Sequence, residues 1–452
     1  MRSVILWLCW TFCVREATET NPAKLIFNQA LWCIKQRRPS LADTSIVALD
    51  IGTSVTKAIV GAFDENGEFE IIGIGTAPSN GLRRGVVLNI EGTLNSITSA
   101  LDAAELMSGA DIRAVSLALS GANVESFNTN GQVAITGRGR EITQEDIVRV
   151  HEAARAVSIS MDREILHVIP RSYTVDEQKG VRNPLHMTGV RLECGVHIIT
   201  GSVSTVQNMF KCVTRAGYRV EQSYLGILGS ARCVLTDDER DLGCLLIDIG
   251  GGTTDFMVFA DSEPVFTSAI PAGGSQITGD ISIMLSIPVD AAERLKKESG
   301  ASWADAIDPE ETVIVPGFGA REPVELERRK LVSIVQPRVE EIFEMVNERL
   351  VKNGLKEYIK AGVVLTGGSA LLPHIDDCAR AVFGVPVRIG TPLAIQGLDA
   401  EYRSPAFSAV VGVALLEAER TGAVSESSGR KKARKGKQGS FSLFKWIKDR
   451  FF

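Results

Sequence analysis

Two segments of this 452-residue sequence end an apolar run with an aspartate and continue into a turn of glycine and hydroxyl residues. The first turn runs from Asp50 to Ser54, and the second runs from Asp248 to Asp255. Glycines allow backbone N–H groups to approach an anion closely, and the hydroxyls add further donors. A carboxylate at the end of a buried strand is costly without a nearby cation, which points to Mg²⁺ held through water. The two segments therefore predict a site for a Mg²⁺-bound polyphosphate.

A third segment, residues 363–370, is an apolar strand that leads into a Gly-Gly-Ser turn, against which a flat base can lie. Each turn taken alone is as readily a structural hairpin, but the three in this order favour a nucleotide site. The candidate phosphate contacts are Asp50, Gly52, Thr53, Ser54, Asp248, Gly250, Gly251, Gly252 and Thr253. The candidate Mg²⁺ residues are Asp50, Asp248 and Asp255, and Asp255 is also the candidate catalytic residue. Lys57 either adds positive charge for the phosphates or points to solvent.

The two aspartate turns belong to a repeated unit, so the elements that position them are expected twice. Each unit reads as a strand, the turn, a second and a third strand, and then helix-forming sequence near residues 92–107 and 275–286. Two similar units of this kind predict a two-lobed α/β protein with a cleft between the lobes.

The composition is that of an ordinary globular protein, with 44% hydrophobic and 23% charged residues. This excludes a wholly disordered chain and a protein with many membrane spans. Eight cysteines without a CxxC pair argue against a disulfide framework or a zinc site. The net charge of −6 divides into +7 for residues 425–452 (nine Lys and Arg, two acids) and −13 for the rest. An acidic body with a basic tail argues against a nucleic-acid-binding core.

The C-terminal tail has the pattern of a membrane anchor. Residues 425–439 are basic and poor in apolar side chains, which predicts a flexible linker. Residues 440–452 place bulky apolar side chains at spacings of two to four, which predicts a short amphipathic helix. Such a helix behind a cationic tether is typical of an interfacial anchor on anionic lipid, and docking on the protein's own core is the alternative. The candidate membrane residues are Phe441, Leu443, Phe444, Trp446, Ile447 and Phe451.

The N-terminal segment, residues 1–44, receives no function. Its apolar run, residues 4–14, is too short to span a bilayer, and no clear cleavage pattern follows it. We expect a disordered extension or a start codon that was assigned too early.

The three turns resemble the phosphate-1, phosphate-2 and adenosine motifs of the actin-like ATPase superfamily. Within it, the sequence resembles the FtsA family of bacterial division proteins more closely. This likeness is carried by Leu-Ala-Leu-Ser-Gly at 117–121, Ile-Leu-His-Val-Ile-Pro at 165–170, Asn183-Pro184, Gly-Val-Arg at 189–191, residues 363–368, and Val-Arg-Ile-Gly at 387–390. It extends from about residue 45 to 420 and resumes at the terminal helix, whereas residues 1–44 depart from the family pattern.

The resemblance implies an α/β fold of the actin-like type. It has two lobes of duplicated RNase H-like β-meander and helix units, an inserted small α+β subdomain and a C-terminal amphipathic helix. The implied boundaries are 45–120, 200–225 and 404–420 for the first lobe, 121–199 for the insert, and 226–403 for the second lobe with an outer subdomain at about 290–358. Residues 421–439 form the implied linker, and residues 440–452 form the implied membrane-targeting helix.

The resemblance also extends the nucleotide site. Gly273 and Gly274 are similar to a glycine pair beside the nucleotide. Residues Glu293, Lys296 and Lys297 resemble a helix that contacts the ribose and adenine, for which a surface ion-pair helix is the alternative. The turn of Gly367, Gly368 and Ser369 is implied to support the adenine.

The function that the resemblance implies is an ATP-binding scaffold of cell division. It is expected to tether the FtsZ ring to the inner face of the cytoplasmic membrane at the septum, to self-associate into filaments and to recruit later division proteins. The implied cofactors are ATP and Mg²⁺, and the implied partners are the FtsZ C-terminal tail, anionic lipid and other divisome proteins, with no nucleic acid. Arg338 in the outer subdomain is the candidate contact for the FtsZ tail, and a solvated surface charge is the alternative.

Two other functions stay open at this point, and ATP hydrolysis is expected to be weak at most. A small-molecule kinase of the same superfamily requires a substrate base and no membrane helix. A pilus-assembly actin homologue has a similar insert, but it normally lacks the tethered tail. A chaperone is excluded because only about thirty residues follow residue 420, too few for a peptide-binding domain.

Overall fold

The computed structural model describes residues 45–121, 123–136, 139, 141–317, 319 and 322–428. Residues 1–44, the linker beyond residue 428 and the predicted terminal helix at 440–452 lie outside the described residues, as do all six candidate membrane residues.

The strands of the described chain are β1 (Ile46–Ile51), β2 (Val55–Phe63), β3 (Phe69–Pro78), β4 (Leu82–Arg83), β5 (Val86–Val87), β6 (Ala114–Leu119), β7 (Glu125–Ala134), β8 (Arg163–Val175), β9 (Gln178–Val181), β10 (Arg191–Ser202), β11 (Arg219–Leu225), β12 (Cys244–Ile249), β13 (Thr254–Ala260), β14 (Glu263–Ile270), β15 (Thr312–Val315), β16 (Val324–Glu327), β17 (Val363–Thr366) and β18 (Val387–Ile389).

The α-helices of the same part of the chain are α1 (Ile90–Ser108), α2 (Gln144–Arg155), α3 (Val203–Arg215), α4 (Gly226–Val234), α5 (Asp237–Leu242), α6 (Gly274–Leu285), α7 (Val289–Ser299), α8 (Arg328–Lys352), α9 (Ile375–Phe383) and α10 (Ser408–Ser428). Among these helices none combines the length and the apolar character needed to cross a bilayer.

The two lobes contain five-stranded sheets of the same design. The first has the order β11-β6-β1-β2-β3, and the second has the order β14-β13-β12-β17-β18. In each, a central strand pairs antiparallel with the next strand and parallel with a strand from later in the chain. Side chains on both faces of β1 and β12 are largely buried, which explains their continuous apolar sequences. The predicted duplicated α/β architecture is confirmed.

The register of the central hairpins gives the two lobes matching positions. Asp50 at the end of β1 lies opposite Lys57 on β2, and Asp248 at the end of β12 lies opposite Asp255 on β13. Lys57 and Asp255 therefore occupy equivalent positions in the two lobes, one with an ammonium group and the other with a carboxyl group.

The helices predicted after each meander are present as α1 and α6. Helix α1 is capped at its start by Asn89, whose side chain accepts a hydrogen bond from the Gly92 amide, and at its end by Gly109 in the left-handed conformation (φ 69°). Helix α10 packs with α4 against both sheets, since Val410 and Val413 share one core with Ala48 of β1 and Leu246 of β12.

The insert is a four-stranded antiparallel sheet, β7-β10-β8-β9, covered by α2. Helix α2 begins with a capping box, in which the Thr143 hydroxyl and the Asp146 carboxylate cap each other's backbone amides. Strand β7 runs from Glu125 to Ala134. Its first half is polar because those side chains meet a neighbouring lobe.

That neighbour is β14, the edge strand of the second lobe. The Ser126 hydroxyl donates to the Thr267 carbonyl (2.7 Å) and accepts from the Thr267 amide (2.8 Å). The Asn128 side chain donates to the Val265 carbonyl (2.9 Å). Buried His197 of β10 lies between Asn128 Oδ1 (2.7 Å) and Thr267 Oγ1 (2.9 Å). Side chains of the insert thus satisfy backbone groups that an edge strand leaves unpaired.

Candidate functional site

A cavity of about 460 Å³ lies between the two lobes, where the strand-ending turns of both sheets meet. Its walls contain most of the residues predicted from the sequence. These are Asp50, Gly52, Thr53, Ser54, Asp248, Gly250, Gly251, Thr253, Asp255, Gly274, Glu293, Lys296, Lys297, Gly367, Gly368 and Ser369. The three turns and the α7 helix are therefore brought together, although they lie as much as 319 positions apart in the chain.

The turn between β1 and β2 forms one wall. Lys57 lines the cavity with its ammonium group 3.6 Å from a carboxylate oxygen of Asp50, and its side chain is 14% exposed. The interpretation that Lys57 points to solvent is therefore wrong. The Thr53 hydroxyl accepts a hydrogen bond from the Gly85 amide (3.3 Å), which ties the turn to the short β4–β5 hairpin.

The turn between β12 and β13 forms the opposite wall and is fixed to the start of α6. The Gly250 amide donates to the Thr253 carbonyl (2.9 Å) within the turn. The Gly274 and Ser275 amides donate to the carbonyls of Gly250 (3.0 Å) and Gly251 (2.7 Å). The N-terminus of α6, which carries partial positive charge, thus lies directly behind the turn.

The two turns approach each other so closely that side chains larger than hydrogen do not fit. A Cβ atom on Gly251 would lie 2.1 Å from the Ser54 hydroxyl oxygen, and one on Gly252 would lie 2.6 Å from the Thr53 hydroxyl oxygen. Gly252 and Gly273 do not line the cavity, unlike the other predicted glycines. Gly273 instead packs on the turn, since its Cβ would lie 2.5 Å from the Gly250 carbonyl oxygen.

Two of the carboxyl groups in the site are held in an environment that disfavours their charge. Burial, the neighbouring Asp248 and the more distant Asp50 raise the pKa of Asp255 to about 8, and the Gly121 amide and Thr253 hydroxyl oppose part of this rise. Burial and Asp50 raise the pKa of Asp248 to about 6, although a hydrogen bond from the Ser230 hydroxyl (2.6 Å) works against it. One carboxyl oxygen of Asp255, Oδ1, is buried without a hydrogen-bond partner.

These observations fit a divalent cation bound through water. A cation would relieve the repulsion among the three carboxyl groups and lower the pKa values of Asp248 and Asp255. Among the described residues, no three His, Cys, Asp or Glu side chains are close enough together to hold a metal ion directly. The three aspartates can therefore serve a cation through water, whereas direct ligation by all three has no support.

The third turn closes the cavity beside the second. Gly367 has φ 89°, and a Cβ atom there would lie 2.4 Å from an Asp248 carboxyl oxygen. Only glycine allows this combination of conformation and contact. The Ser369 hydroxyl donates to the Gly250 carbonyl (3.0 Å). Gly368 to Leu371 form a single 3₁₀ turn.

Helix α7 supplies a charged corner of the same cavity. The Lys296 ammonium group, 10% exposed in its side chain, donates to the Glu293 carboxylate (2.7 Å), the Thr278 hydroxyl (2.9 Å) and the Gly274 carbonyl (3.0 Å). Lys297 pairs with the same Glu293 (3.2 Å). The lysines lower the pKa of Glu293, although burial opposes them, and burial lowers the pKa of Lys296. These contacts at the cavity wall disfavour the alternative of a purely surface ion-pair helix.

Several lining residues were missing from the sequence prediction. The apolar part of the wall is made by Leu371, Leu372, Pro373, Pro405, Ala406 and Ala409, and further contacts come from Gly85 and Ser120. Ser120 lies in the segment 117–121 that carries the family resemblance, but no local pattern marks it or the others as cavity residues, because they reach the cavity from separate segments. Leu371 and Leu372 follow the Gly-Gly-Ser turn after one intervening residue, Ala370, and this position in the sequence is the only signal that could have indicated them.

Arg338, the candidate contact for the FtsZ tail, lies near the middle of α8 and does not line the cavity. Its guanidinium group binds Asp280 of α6 through two nitrogens (2.6 and 3.0 Å) and also pairs with Glu341. Those acids raise the pKa of Arg338. Pro337 lies inside α8.

Comparison with known proteins places these features in a family. A family model for "Cell division protein FtsA" matches residues 245–412, and one for the "SHS2 domain inserted in FTSA" matches residues 121–200. The chain is 45% identical to the cell division protein FtsA of Borreliella burgdorferi over 376 residues, which cover 83% of this chain and 91% of that protein. It is 44% identical to FtsA of Pseudomonas aeruginosa (81% and 88% covered) and 38% identical to FtsA of Escherichia coli K12 (81% and 89% covered).

Solved structures share the fold at low identity. A PilM–PilN type IV pilus biogenesis complex matches with a TM-score of 0.57 and 17% identity over 82% of this chain and 97% of that one. MreB5 of Spiroplasma citri bound to ADP matches with a TM-score of 0.51 and 15% identity over 85% and 98%. These likenesses concern the fold alone, and they confirm the predicted actin-like architecture. Since relatives of 38–45% identity are matched over most of their length, the chain belongs to the FtsA family of cell division proteins.

Proposed function

We propose that this protein binds Mg²⁺-ATP between its lobes and tethers FtsZ filaments to the inner face of the cytoplasmic membrane at the division septum. The observation that carries the nucleotide part is the meeting of two glycine turns, one from each lobe, on opposite walls of one cavity. The cavity, about 460 Å³, lies within the range typical of small-molecule and cofactor sites.

Different groups of residues would bind the phosphates, the Mg²⁺ ion, the ribose and the base. The amides and hydroxyls of the first turn (Gly52 to Ser54) and the second turn (Gly250 to Thr253) would bind the β- and γ-phosphates. Asp50, Asp248 and Asp255 would hold the water shell of Mg²⁺. Glu293, Lys296 and Lys297 would contact the ribose and adenine, and Gly367 to Ser369 with the apolar wall would support the base. The ADP in the solved MreB5 structure supports an adenine nucleotide on this fold.

Binding on both lobes at once would favour a closed arrangement. A ligand shifts such an equilibrium only by its different affinity for the two states, and contacts to both turns provide that difference. We infer that the closed state assembles into filaments or binds partners better. Asp255 is the candidate for orienting water, through the carboxyl oxygen that has no partner, and hydrolysis would be slow.

The tethering role would need two binding regions, the outer subdomain of the second lobe for FtsZ and the C-terminal tail for the membrane. The FtsZ tail, short and acidic, would bind at the outer subdomain with Arg338 as a contact. The terminal segment 440–452 would insert its apolar side chains at the membrane surface, and the basic linker would lie against anionic lipid. Family membership supports division partners in general, and later divisome proteins and self-association through the insert belong to the same proposal.

Co-sedimentation tests this proposal with the full chain and a variant that ends at Gly439. We expect the full chain to pellet with vesicles that contain anionic lipid and to carry a labelled FtsZ tail peptide with it. The truncated chain should bind the peptide but stay in the supernatant. Vesicles of neutral lipid are the control for the charge of the tail. A truncated chain that still pellets, or a full chain that pellets without the peptide, would contradict the tether.

A further inference from the structure

We propose that Arg84, at the tip of the β4–β5 hairpin, binds the terminal phosphate of the nucleotide and gives the site its preference for a triphosphate over a diphosphate. This assignment rests on the proposed nucleotide-binding function. It adds to the proposed nucleotide site a cationic residue for the terminal phosphate, and this residue lies outside the three sequence motifs.

The hairpin has an unusual residue at its tip. Leu82 pairs with Val87 and Arg83 with Val86, which leaves Arg84 and Gly85 as the two central residues. Both have positive φ values (51° and 73°), as in a type I′ turn. Asn and Gly are the residues favoured there, and arginine rarely adopts this conformation. A residue that local conformation disfavours indicates a role for its side chain beyond the turn.

The tip lies against the phosphate turns of both lobes. The Gly85 amide donates to the Thr53 hydroxyl of the first turn (3.3 Å), and Gly85 itself lines the cavity. On the other side, a Cβ atom on Gly252 would lie only 2.9 Å from the Arg84 amide nitrogen. The backbone of Arg84 is thus in contact with the second turn at the joint between the lobes. A side chain attached there starts beside the predicted phosphates.

Among the described residues that line the cavity, no Lys or Arg side chain is free of a carboxylate partner and so available to a triphosphate. The three lysines of the cavity all have carboxylate partners, because Lys57 pairs with Asp50 while Lys296 and Lys297 pair with Glu293. Arg84 is exposed and makes no hydrogen bond or ion pair to any residue that the structure describes. The backbone of Arg84 lies next to both phosphate turns, and its guanidinium group is free to bind a phosphate through two N–H donors.

Arg84→Asn is the decisive variant because it removes the charge and suits the type I′ turn better than arginine. Its matched control is Arg83→Asn, which removes the adjacent exposed arginine of β4. Affinities of the purified full chain for Mg²⁺-ATP and Mg²⁺-ADP are measured by calorimetry. We expect Arg84→Asn to weaken ATP binding about tenfold or more, as for loss of a charge-assisted hydrogen bond, and to leave ADP binding unchanged. Arg83→Asn should change neither.

Two results would overturn the assignment while leaving the proposed function intact. The first is an Arg84→Asn protein that binds ATP as tightly as the wild type. The second is an equal weakening of ATP and ADP, which would place the arginine at a phosphate that the two nucleotides share. A wild-type protein that binds neither nucleotide would overturn both the assignment and the proposed function.

Discussion

At the scale of single residues, the site is built around charges that its own protein environment disfavours. Asp255 and Asp248 have raised pKa values, about 8 and about 6, chiefly because both are buried; Asp248 raises the pKa of Asp255 further, and Asp50 raises that of Asp248. The equivalent position to Asp255 in the first lobe is Lys57, which neutralises Asp50. The second lobe thus lacks an internal cation of this kind, which is what an external Mg²⁺ would provide.

The raised pKa of Asp255 predicts a stability change for Asp255→Asn. The folded protein holds this proton up to about pH 8, whereas the unfolded chain loses it near pH 4. Stability from this group is therefore present at low pH and is lost as pH rises through about 8. Without Mg²⁺, we expect Asp255→Asn to be more stable than the wild type by on the order of 2 kcal/mol at pH 8. Thermal unfolding across pH 5–9 measures this effect.

The same substitution should weaken the Mg²⁺-dependent part of ATP binding. Asp261→Asn is the matched control, because Asp261 is exposed at the other end of β13 and adopts a conformation that asparagine tolerates (φ 52°). If the melting temperatures of Asp255→Asn and the wild type changed equally with pH, the conclusion that burial raises the pKa of Asp255 would be contradicted.

The close approach of the two turns predicts the effect of Gly252→Ala. The added methyl would meet both branches of the Thr53 side chain (2.6 and 2.8 Å) and the Arg84 backbone. Overpacking of this kind costs about 1–3 kcal/mol. Since Gly252 does not line the cavity, the loss would come from separating the turns, and ATP affinity should fall at least about fivefold.

Gly279→Ala in helix α6 is the control for this change, because a Cβ atom there has no neighbour within 4 Å. It should leave ATP affinity intact and stabilise the helix by roughly 0.5–1 kcal/mol. Normal ATP affinity in Gly252→Ala would mean that the contact between the turns does not matter for binding.

The sequence could predict the residues that belong to local patterns. Asp248, Gly251 and Gly367 follow apolar strands in short motifs, and their positions around one cavity agree with what those motifs indicated. Residues such as Ser230 and Ala406 could not be found in this way. Ser230 reaches Asp248 from α4, and Ala406 reaches the cavity from the short turn before α10, so both contacts depend on packing between segments that are distant in the sequence.

At the scale of secondary-structure elements, the insert is joined to both lobes. It follows β6 in the first lobe, and its strands β7 and β10 contact the edge of β14 in the second. The polar start of β7 has no alternating apolar pattern that would predict a half-buried strand. Ser126 and Asn128 show the physical reason, since their side chains replace a neighbouring strand as partners for β14.

The junction between the insert and β14 predicts how the protein responds to acid. Burial, helped by the charge of Arg171, lowers the pKa of His197 to about 3, and burial lowers that of His167 to about 4. The unfolded chain binds protons on these groups at higher pH, so stability is present above about pH 6.5 and is lost as pH falls toward 4. His197→Gln should show a smaller loss of melting temperature between pH 7 and pH 5 than the wild type.

His186→Gln is the control, since His186 is an exposed residue of the same insert. It should retain the acid sensitivity of the wild type. An acid response in His197→Gln as large as that of the wild type would contradict a role for His197.

The ion pair between α6 and α8 predicts opposite effects for two substitutions. Arg338 is held by Asp280, so a peptide that uses Arg338 must compete with that carboxylate. Arg338→Ala should weaken binding of the FtsZ tail peptide, whereas Asp280→Asn should strengthen it by releasing the guanidinium group. Fluorescence anisotropy of a labelled peptide measures both. Weaker binding in both variants would indicate that the ion pair supports the local structure and that Arg338 is not the contact.

At the scale of the whole molecule, the duplicated lobes explain why one ligand can act on both. Their sheets have the same strand order, and each presents an aspartate and a small-residue turn at the same edge. Helix α10 joins the lobes through a shared core behind the turns. A nucleotide bound by both turns would therefore hold the lobes together at the cavity, while the core around α10 holds them together behind it.

Hydrogen–deuterium exchange of the full chain with and without Mg²⁺-ATP tests this central claim most directly. The account predicts that peptides covering residues 50–57 and residues 248–255 become protected together, with the same dependence on ATP concentration. Protection of only one of these turns, or of neither at a saturating concentration of Mg²⁺-ATP, would contradict it.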